Sequence, residues 1–542
     1  MKFSTPPLVK STFDLSVITS SDSNFSGILG AWADVVGSTA SLAAADVAGG
    51  CFCCGSLMVK HTGKFVRIRD EQKKSPTNKK THYEEKFPGR MSSNPVQYLT
   101  ETGCTCQQCK QVDAILISRR ERLCKTCFIR FLRGKQRKQM QGDRYKVKYG
   151  EVATKWGRQR VLLAFSGGIS SLVLLDVMAS LLQEQALHHN GKQGFELVIL
   201  ALDEVETRRL DRSVSEVLPL LVGRYSPVQI TYKVVSLDTY VVGRGVMEKI
   251  TIDHQFSGFS HRVDAGSAAT TKDLLAACPN KSSAEDLLGV IYDELVLSTA
   301  HAEGCQTILY GHSMTRLAND VIALAVKGRG STIYRAISDR TEEFCGQQFT
   351  IIYPMREILF GEILAYGQLG DLDQYVVKST VAKSNVNKNL TIRELTTKYF
   401  SVLDDTGYAS TASAVVKTGE KLGAPTTAVV SKCQVCGVSI HQDPKRWLSR
   451  ITVSDPAPVA TAEEHQYLEM YREQAPPAVG EDGEKLHVCY GCLVTLRGVD
   501  AGSGFMWPVK RATDPQTPLL PVYVDSNDKQ AVLDEYVLTD EE

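Results

Sequence analysis

Apolar residues in this chain fall into short runs separated by amphipathic stretches. Five runs read as buried strands: Val161–Phe165, Leu197–Asp203, Val228–Leu237, Thr307–Gly311 and Phe349–Tyr353. Between them, apolar positions recur at helical spacing over Ser170–His188, Ser213–Val222, Ala284–Glu303 and Thr315–Val326. Strand alternating with helix predicts an α/β fold, a parallel sheet covered by helices on both faces. Residues 242–283 break the pattern and read as a polar insertion. After Gly370 the chain turns polar, with helices expected over Thr391–Leu403 and Ser410–Leu422. Two Pro/Ala/Glu-rich stretches, Pro456–Glu464 and Ala475–Glu484, flank an aromatic-acidic piece, Glu463–Arg472, that reads as a surface helix. At the other end, residues 1–50 are rich in Ser, Ala and Gly and read as largely disordered, with a short helix near Ile28–Val36. A polar, basic linker or insertion follows to about Pro95.

The stretch VLLAFSGGISSLVLLDVM, Val161 to Met178, joins a strand to a helix through Ser166, Gly167, Gly168, Ile169, Ser170 and Ser171. Glycines at such a turn let the backbone approach a phosphate, and the first N–H groups of the helix point at the anion. A tight turn with no ligand would use the same glycines. No Gly-Lys-Ser/Thr follows, so this is not a Walker loop. Ligands of open α/β sheets sit beyond the carboxyl ends of the strands. Ser166–Ser171, Asp203 and Gly311-His312-Ser313 are all expected at that edge.

Fifteen cysteines with no secretory leader pattern point to reduced thiols or metal ligands rather than disulfides. Cys106-x2-Cys109 and Cys124-x2-Cys127 are parted by one short segment, the spacing of a four-thiolate zinc site. Each CxxC sets two sulfurs on one side of a tight turn, and two turns complete a tetrahedron. Ala114–Ile117 between them suits a hairpin strand. Cys433-x2-Cys436 and Cys489-x2-Cys492 form a second set, and a loop extruded from a ribbon would accommodate the long segment from Gly437 to Val488. Cys51, Cys53 and Cys54 hint at a further knuckle without a clean partner pair, and Cys104 is left over.

Net charge is only +1, but its distribution is uneven. Between Arg119 and Lys148 there are twelve Lys/Arg and two acids, against 50 basic and 59 acidic residues elsewhere. Arg130, Arg133, Lys135, Arg137 and Lys138 fall on one predicted helix, with Phe128, Phe131, Tyr145 and Tyr149 interleaved. A run this dense suits phosphate neutralisation and hence nucleic acid, although a solvated helix face has the same composition. From Asp525 to Glu542 the chain carries seven acids and one Lys and reads as a solvated tail. No apolar run approaches the length of a membrane span, and residues 1–50 lack the features of a signal or transit peptide, so the cytoplasm is the expected compartment and no membrane is expected as a partner.

The Ser-Gly-Gly turn resembles the SGGxDS signature of the PP-loop ATP pyrophosphatases, with Ser170 in place of its Asp. LYGHSMTRLANDVIAL, Leu309 to Leu324, resembles the GHNxDDxxET region of PP-loop enzymes that modify tRNA. Gly311, His312, Asn319 and Asp320 are kept, and Thr315 and Arg316 lie where acids would be. YPMREILFGEILAY, Tyr353 to Tyr366, resembles the following PLRxxxxxEIxxY segment, and Arg356 with Glu362 reads as a binding pair or a structural ion pair. The order of all these pieces, from about residue 100 to 500, resembles the cytoplasmic tRNA 2-thiolation protein 2 family.

That resemblance implies a PP-loop ATPase-like (adenine nucleotide alpha hydrolase-like) sheet with N- and C-terminal zinc-ribbon-like modules. It divides the chain into an N-terminal extension (1–100), a cysteine module with basic helix (101–150), a degenerate PP-loop domain (155–425), a second cysteine module (426–500) and an acidic tail (501–542). It implies a tRNA-binding, non-catalytic role beside a catalytic PP-loop thiolase subunit in a heterodimer. The partner would adenylate the wobble uridine of tRNA with ATP and transfer sulfur from a ubiquitin-related carrier. Ser166, Gly167, Gly168, Ser170, Ser171, Asp203, Gly311 and His312 would then be what remains of an ATP/Mg²⁺ site, and the two cysteine sets would hold zinc. A Ser at 170 is a weaker Mg²⁺ ligand than Asp. The only cysteine near the expected sulfur-handling positions is Cys278. Two other readings stay open: a self-sufficient adenylating PP-loop enzyme, and a zinc-ribbon scaffold for protein partners.

Overall fold

The computed structural model describes residues 96–511 apart from short stretches, the longest being 263–269, 381–386, 449–458 and 475–482, together with Leu519 and two strands near the N-terminus. Those two strands, Met58–His61 and Lys64–Arg67, pair as a hairpin within a separate compact unit that ends at Pro88. The expected helix at 28–36, Cys51, Cys53, Cys54 and the acidic tail beyond Leu519 lie outside the described residues.

In the main unit, β1 (Val96–Tyr98), β2 (Leu116–Ser118) and β3 (Glu121–Leu123) form a small antiparallel sheet and lead into helix α1 (Lys125–Gln139). The nucleotide-type sheet begins at β4 (Gln159–Ala164), then α2 (Ile169–His188), β5 (Phe195–Asp203), α3 (Val214–Arg224) and β6 (Ile230–Ser236). Next come β7 (Glu248–Ile252), β8 (Gly258–Arg262), α4 (Lys281–Ala302), β9 (Thr307–Tyr310) and α5 (Met314–Val326). The hairpin β10 (Arg340–Phe344) and β11 (Gln347–Ile352) precedes α6 (Phe360–Leu369), α7 (Ile392–Asp405) and α8 (Ser410–Leu422). Helix α9 (Ala462–Gln474), β12 (Glu484–Leu486), α10 (Tyr490–Thr495) and β13 (Met506–Trp507) follow.

The six-stranded sheet runs β10–β11–β9–β4–β5–β6, parallel except for the edge strand β10. Chain order reverses between β4 and β9, so the crevice for a ligand opens beyond the ends of those two strands. The strands at the sheet centre are apolar on both sides: Val161, Leu162 and Leu163 of β4 and Leu197, Val198 and Ile199 of β5 are fully buried. That is why they read as continuous apolar runs rather than alternating ones. Leu172–Val177 of α2 are likewise buried all round, sandwiched between the sheet and further helices.

The structure corrects the polar-insertion reading of 242–283. β7 and β8 pair there, and the four-stranded sheet β12–β8–β7–β13 joins them to strands near the far end of the chain. Trp507 is fully buried in that unit and Arg511 bonds Glu248 at 2.5 and 3.1 Å, so the residues just after 500 belong to the core rather than to a tail.

Candidate functional site

The loop after β4 and the loop after β9 meet at the switch point. A Cβ on Gly311 would lie 3.1 Å from the Ser170 carbonyl oxygen and 3.2 Å from Ser171 Cα, so the two motifs touch backbone to backbone. Helix α2 starts from Gly168, and Ser171 Oγ donates to the Gly168 carbonyl at 2.8 Å, tightening the first turn. Ser166 is exposed, with its Oγ 3.5 Å from Ser171 Oγ, and Ser170 is half-buried. Gly167 has φ +72°, a conformation that favours glycine. Over it lies Val377: a Cβ on Gly167 would be 2.9 Å from Val377 Cβ, and the Val377 amide donates to the Gly167 carbonyl at 2.9 Å. Val377 is held there because Lys378–Thr380 bond to Arg209 and Asp211 on both sides. The glycine turn therefore has a valine seated on it. Asp203 ends β5 on the same edge, and its carboxylate accepts the Val205 amide at 3.3 Å.

His312, just past β9, stacks on Tyr353 with ring centroids 5.4 Å apart and tilts against Tyr310 at 5.5 Å. Burial, with Arg316 adding to it, pushes its pKa down to about 4. Asp320 is 3.1 Å from Arg316 Nε and 3.4 Å from Arg393 Nη1. Burial opposes its ionisation, but the two guanidiniums hold it below the ordinary carboxylate range. Asn319 bonds Thr396 and Thr397 of α7. The acids of the GHNxDD pattern are thus replaced by an arginine that engages the remaining carboxylate, and Asn319 joins α5 to α7. The expected Arg356–Glu362 pair does not form: Arg356 pairs with Glu420 and Asp339, and fully buried Glu362 pairs with Arg119. Glu362 sits in the first turn of α6, where Arg119 of the cysteine module reaches it.

A cavity of about 1820 Å³ opens beside His312 and extends to Cys433 and Cys436. Sequence reasoning found His312 here and touched Tyr353 only as the edge of a motif, while Arg340 and Arg393, at a strand start and a helix start, belonged to no motif.

Both cysteine sets converge. The Sγ atoms of Cys106, Cys109, Cys124 and Cys127 all lie within 4.8 Å of one another, as do those of Cys433, Cys436, Cys489 and Cys492. Cys109 Sγ is 3.9 Å from Cys124 Sγ, and Cys436 Sγ is 3.7 Å from Cys489 Sγ. Zinc–sulfur bonds of about 2.3 Å at the tetrahedral angle place sulfurs about 3.8 Å apart, so both sets fit a tetrahedral metal. Three thiols outside both sets are made poor nucleophiles by burial, which raises Cys278 to about 11 and Cys305 to about 12, and raises Cys345 as well.

Four of the six basic residues of α1 are engaged by groups of α2 and of the segment before α6. Arg133 bonds Ser180 Oγ at 2.7 Å and Tyr366 Oη at 3.3 Å and lies 3.8 Å from Asp176. Lys135 and Lys138 reach Glu357 at 2.9 and 3.5 Å, and Arg137 pairs with Glu184. Arg130 is exposed and makes no ion pair among the described residues, and Arg120, Arg122, Lys125 and Arg144 are exposed as well.

A family model described as cytoplasmic tRNA 2-thiolation protein 2 matches residues 391–494. A Scheffersomyces stipitis protein of that name is 53% identical over 83% of this chain and 99% of its own length. One from Saccharomyces cerevisiae is 31% identical over 74% of this chain and 93% of its own. Among solved structures, the U34-tRNA thiolase NcsA from Methanococcus maripaludis with its [4Fe-4S] cluster covers 62% of this chain and 92% of its own, at 17% identity and a TM-score of 0.44. The chain belongs to the cytoplasmic tRNA 2-thiolation protein 2 family.

Proposed function

We propose that this chain is the tRNA-binding, non-catalytic subunit of a cytoplasmic complex that 2-thiolates the wobble uridine of tRNA, supporting a PP-loop partner that performs adenylation and sulfur transfer. The tRNA thiolation role and the compartment follow from the family. Support for the division of labour comes from the switch-point crevice, whose motif positions are occupied or altered. Val377 covers Gly167, Ser170 offers a hydroxyl where a carboxylate would hold Mg²⁺, and Asp320 is engaged by two arginines. A carboxylate already paired to two guanidiniums is a poor anchor for a hard cation. The raised thiol pKa values of Cys278, Cys305 and Cys345 leave these thiols ill-suited to carry sulfur. Zinc is the metal that the two four-thiolate sets suit best, in a closed, structural role. The tRNA backbone would meet the unpaired cations of the N-terminal module, Arg120, Lys125 and Arg130 among them, rather than the paired ones.

The test is thiolation of uridine by this chain alone, by the PP-loop partner alone, and by both. Product is expected only when the partner is present, and more of it with both; Ser170→Asp should not make this chain active by itself. ATP-to-AMP turnover with tRNA and Mg²⁺ by the isolated chain would replace this reading with that of a self-sufficient enzyme.

A further inference from the structure

The C-terminal cysteine set has company that the N-terminal one lacks. Arg329, with its side chain only 8% exposed, places Nη2 3.5 Å from Cys492 Sγ and 3.3 Å from Thr495 Oγ1. Its Nε bonds Asp286 at 2.6 Å, and Thr495 Oγ1 bonds the same carboxylate oxygen at 2.7 Å. The side chain lies flat on the Cys-Tyr-Gly-Cys knuckle: a Cβ on Gly491 would be 2.5 Å from Arg329 Cγ. On the opposite knuckle, a Cβ on Gly437 would be 3.1 Å from Lys510 Nζ, and that ammonium bonds Glu294 at 2.6 Å. Ser283 adds a third tie, donating to the Thr495 carbonyl at 2.6 Å. Asp286 and Glu294 follow Ser283 by three and eleven positions, which keeps all three on one face of α4. Among the described residues, no arginine or lysine bonds a sulfur of the N-terminal set; Arg122 approaches Cys104, which is outside it.

Four thiolates around a divalent ion carry a surplus of two negative charges, and burying such a surplus is costly without compensation. We propose that Arg329 and Lys510, each seated on a knuckle glycine, are the positioning residues that offset this surplus at Cys433, Cys436, Cys489 and Cys492, and that they fasten the loaded centre to α4. The inference rests on the reading of that set as a metal site. The N-terminal centre, without such cations, retains its metal independently of the sheet.

The full-length chain, purified with zinc, is assayed for metal content and for zinc transfer to pyridylazoresorcinol. The wild type is expected to carry two equivalents, both released slowly. In Arg329→Met one equivalent should leave about tenfold faster, in line with loss of an outer-shell partner, while the other keeps its rate. Arg329→Lys should fall between, and Lys510→Met should act on the same equivalent. Should Arg329→Met misfold because Asp286 loses its guanidinium and keeps only Lys327, 3.6 Å away, as ion partner, Arg329→Gln, which keeps a donor towards Asp286 but no charge, decides the point. Two equivalents released at wild-type rates from the folded variants, or both accelerated together, would overturn the proposal. Fewer than two equivalents in the wild type would instead overturn the metal reading beneath it.

Discussion

Arg119 shows how much a single side chain can carry here. It bridges the N-terminal module to α6 by two parallel bonds to Glu362, at 2.6 and 2.8 Å, while Ser118 Oγ and the Leu359 amide complete the carboxylate's partners. Glu362 has no exposed side-chain surface, so its charge depends on that guanidinium. Arg119→Ala should cost about 3–5 kcal/mol in chemical unfolding, because an unpaired buried charge remains. Adding Glu362→Gln should recover part of the loss, which a mere packing defect would not allow. His312 makes a pH prediction. Its folded pKa, pushed to about 4 by burial, lies below the unfolded value near 6.5. Protons therefore bind the unfolded chain first, and stability present above pH 6.5 declines as pH falls towards 4. Thermal melts of His312→Asn should lose less than the wild type between pH 7 and 5.

The helix α1 separates what a sequence can state from what it cannot. Its charge run was plain, and its apolar face, Phe128 and Leu132, is buried as helical spacing requires. The partners of the charges were not legible, because Glu184 and Glu357 come from elements distant along the chain. Partly exposed pairs of this kind contribute about 0–1 kcal/mol each. Lys135→Ala should therefore hardly shift stability. Arg130→Glu should weaken tRNA binding across sequences and flatten its salt dependence by about one unit, measured by filter binding between about 50 and 200 mM salt. The sheet was read almost strand for strand, since doubly covered strands are continuous apolar runs. The switch-point loops were legible because a glycine turn and a strand end leave local signatures. Val377 over Gly167 was not, because its position is fixed by the bonds of Lys378–Thr380 to Arg209–Asp211, and nothing in the residue itself announces it.

At the scale of the molecule, the least legible feature is the sheet β12–β8–β7–β13. Very short strands with polar alternation carry little signal of their own, and their pairing is a property of the whole chain. This sheet makes the second cysteine module and the 247–262 segment one object. Removal of metal from Cys433–Cys492 should accordingly loosen β7 and β8, seen as faster amide exchange at 248–262, and leave exchange in β4 and β5 unchanged.

A consequence concerns synthesis on the ribosome. Strands β4, β5 and β6 pair in chain order and can settle as they emerge, with the free edge of β4 filled once β9 follows. The β7–β8 hairpin must wait, with both its edges unpaired, until Glu484–Leu486 and then Met506–Trp507 have left the tunnel. Any message broken before those codons yields a polypeptide with two open strand edges, a form prone to sticking to its own kind and suited to removal by quality control.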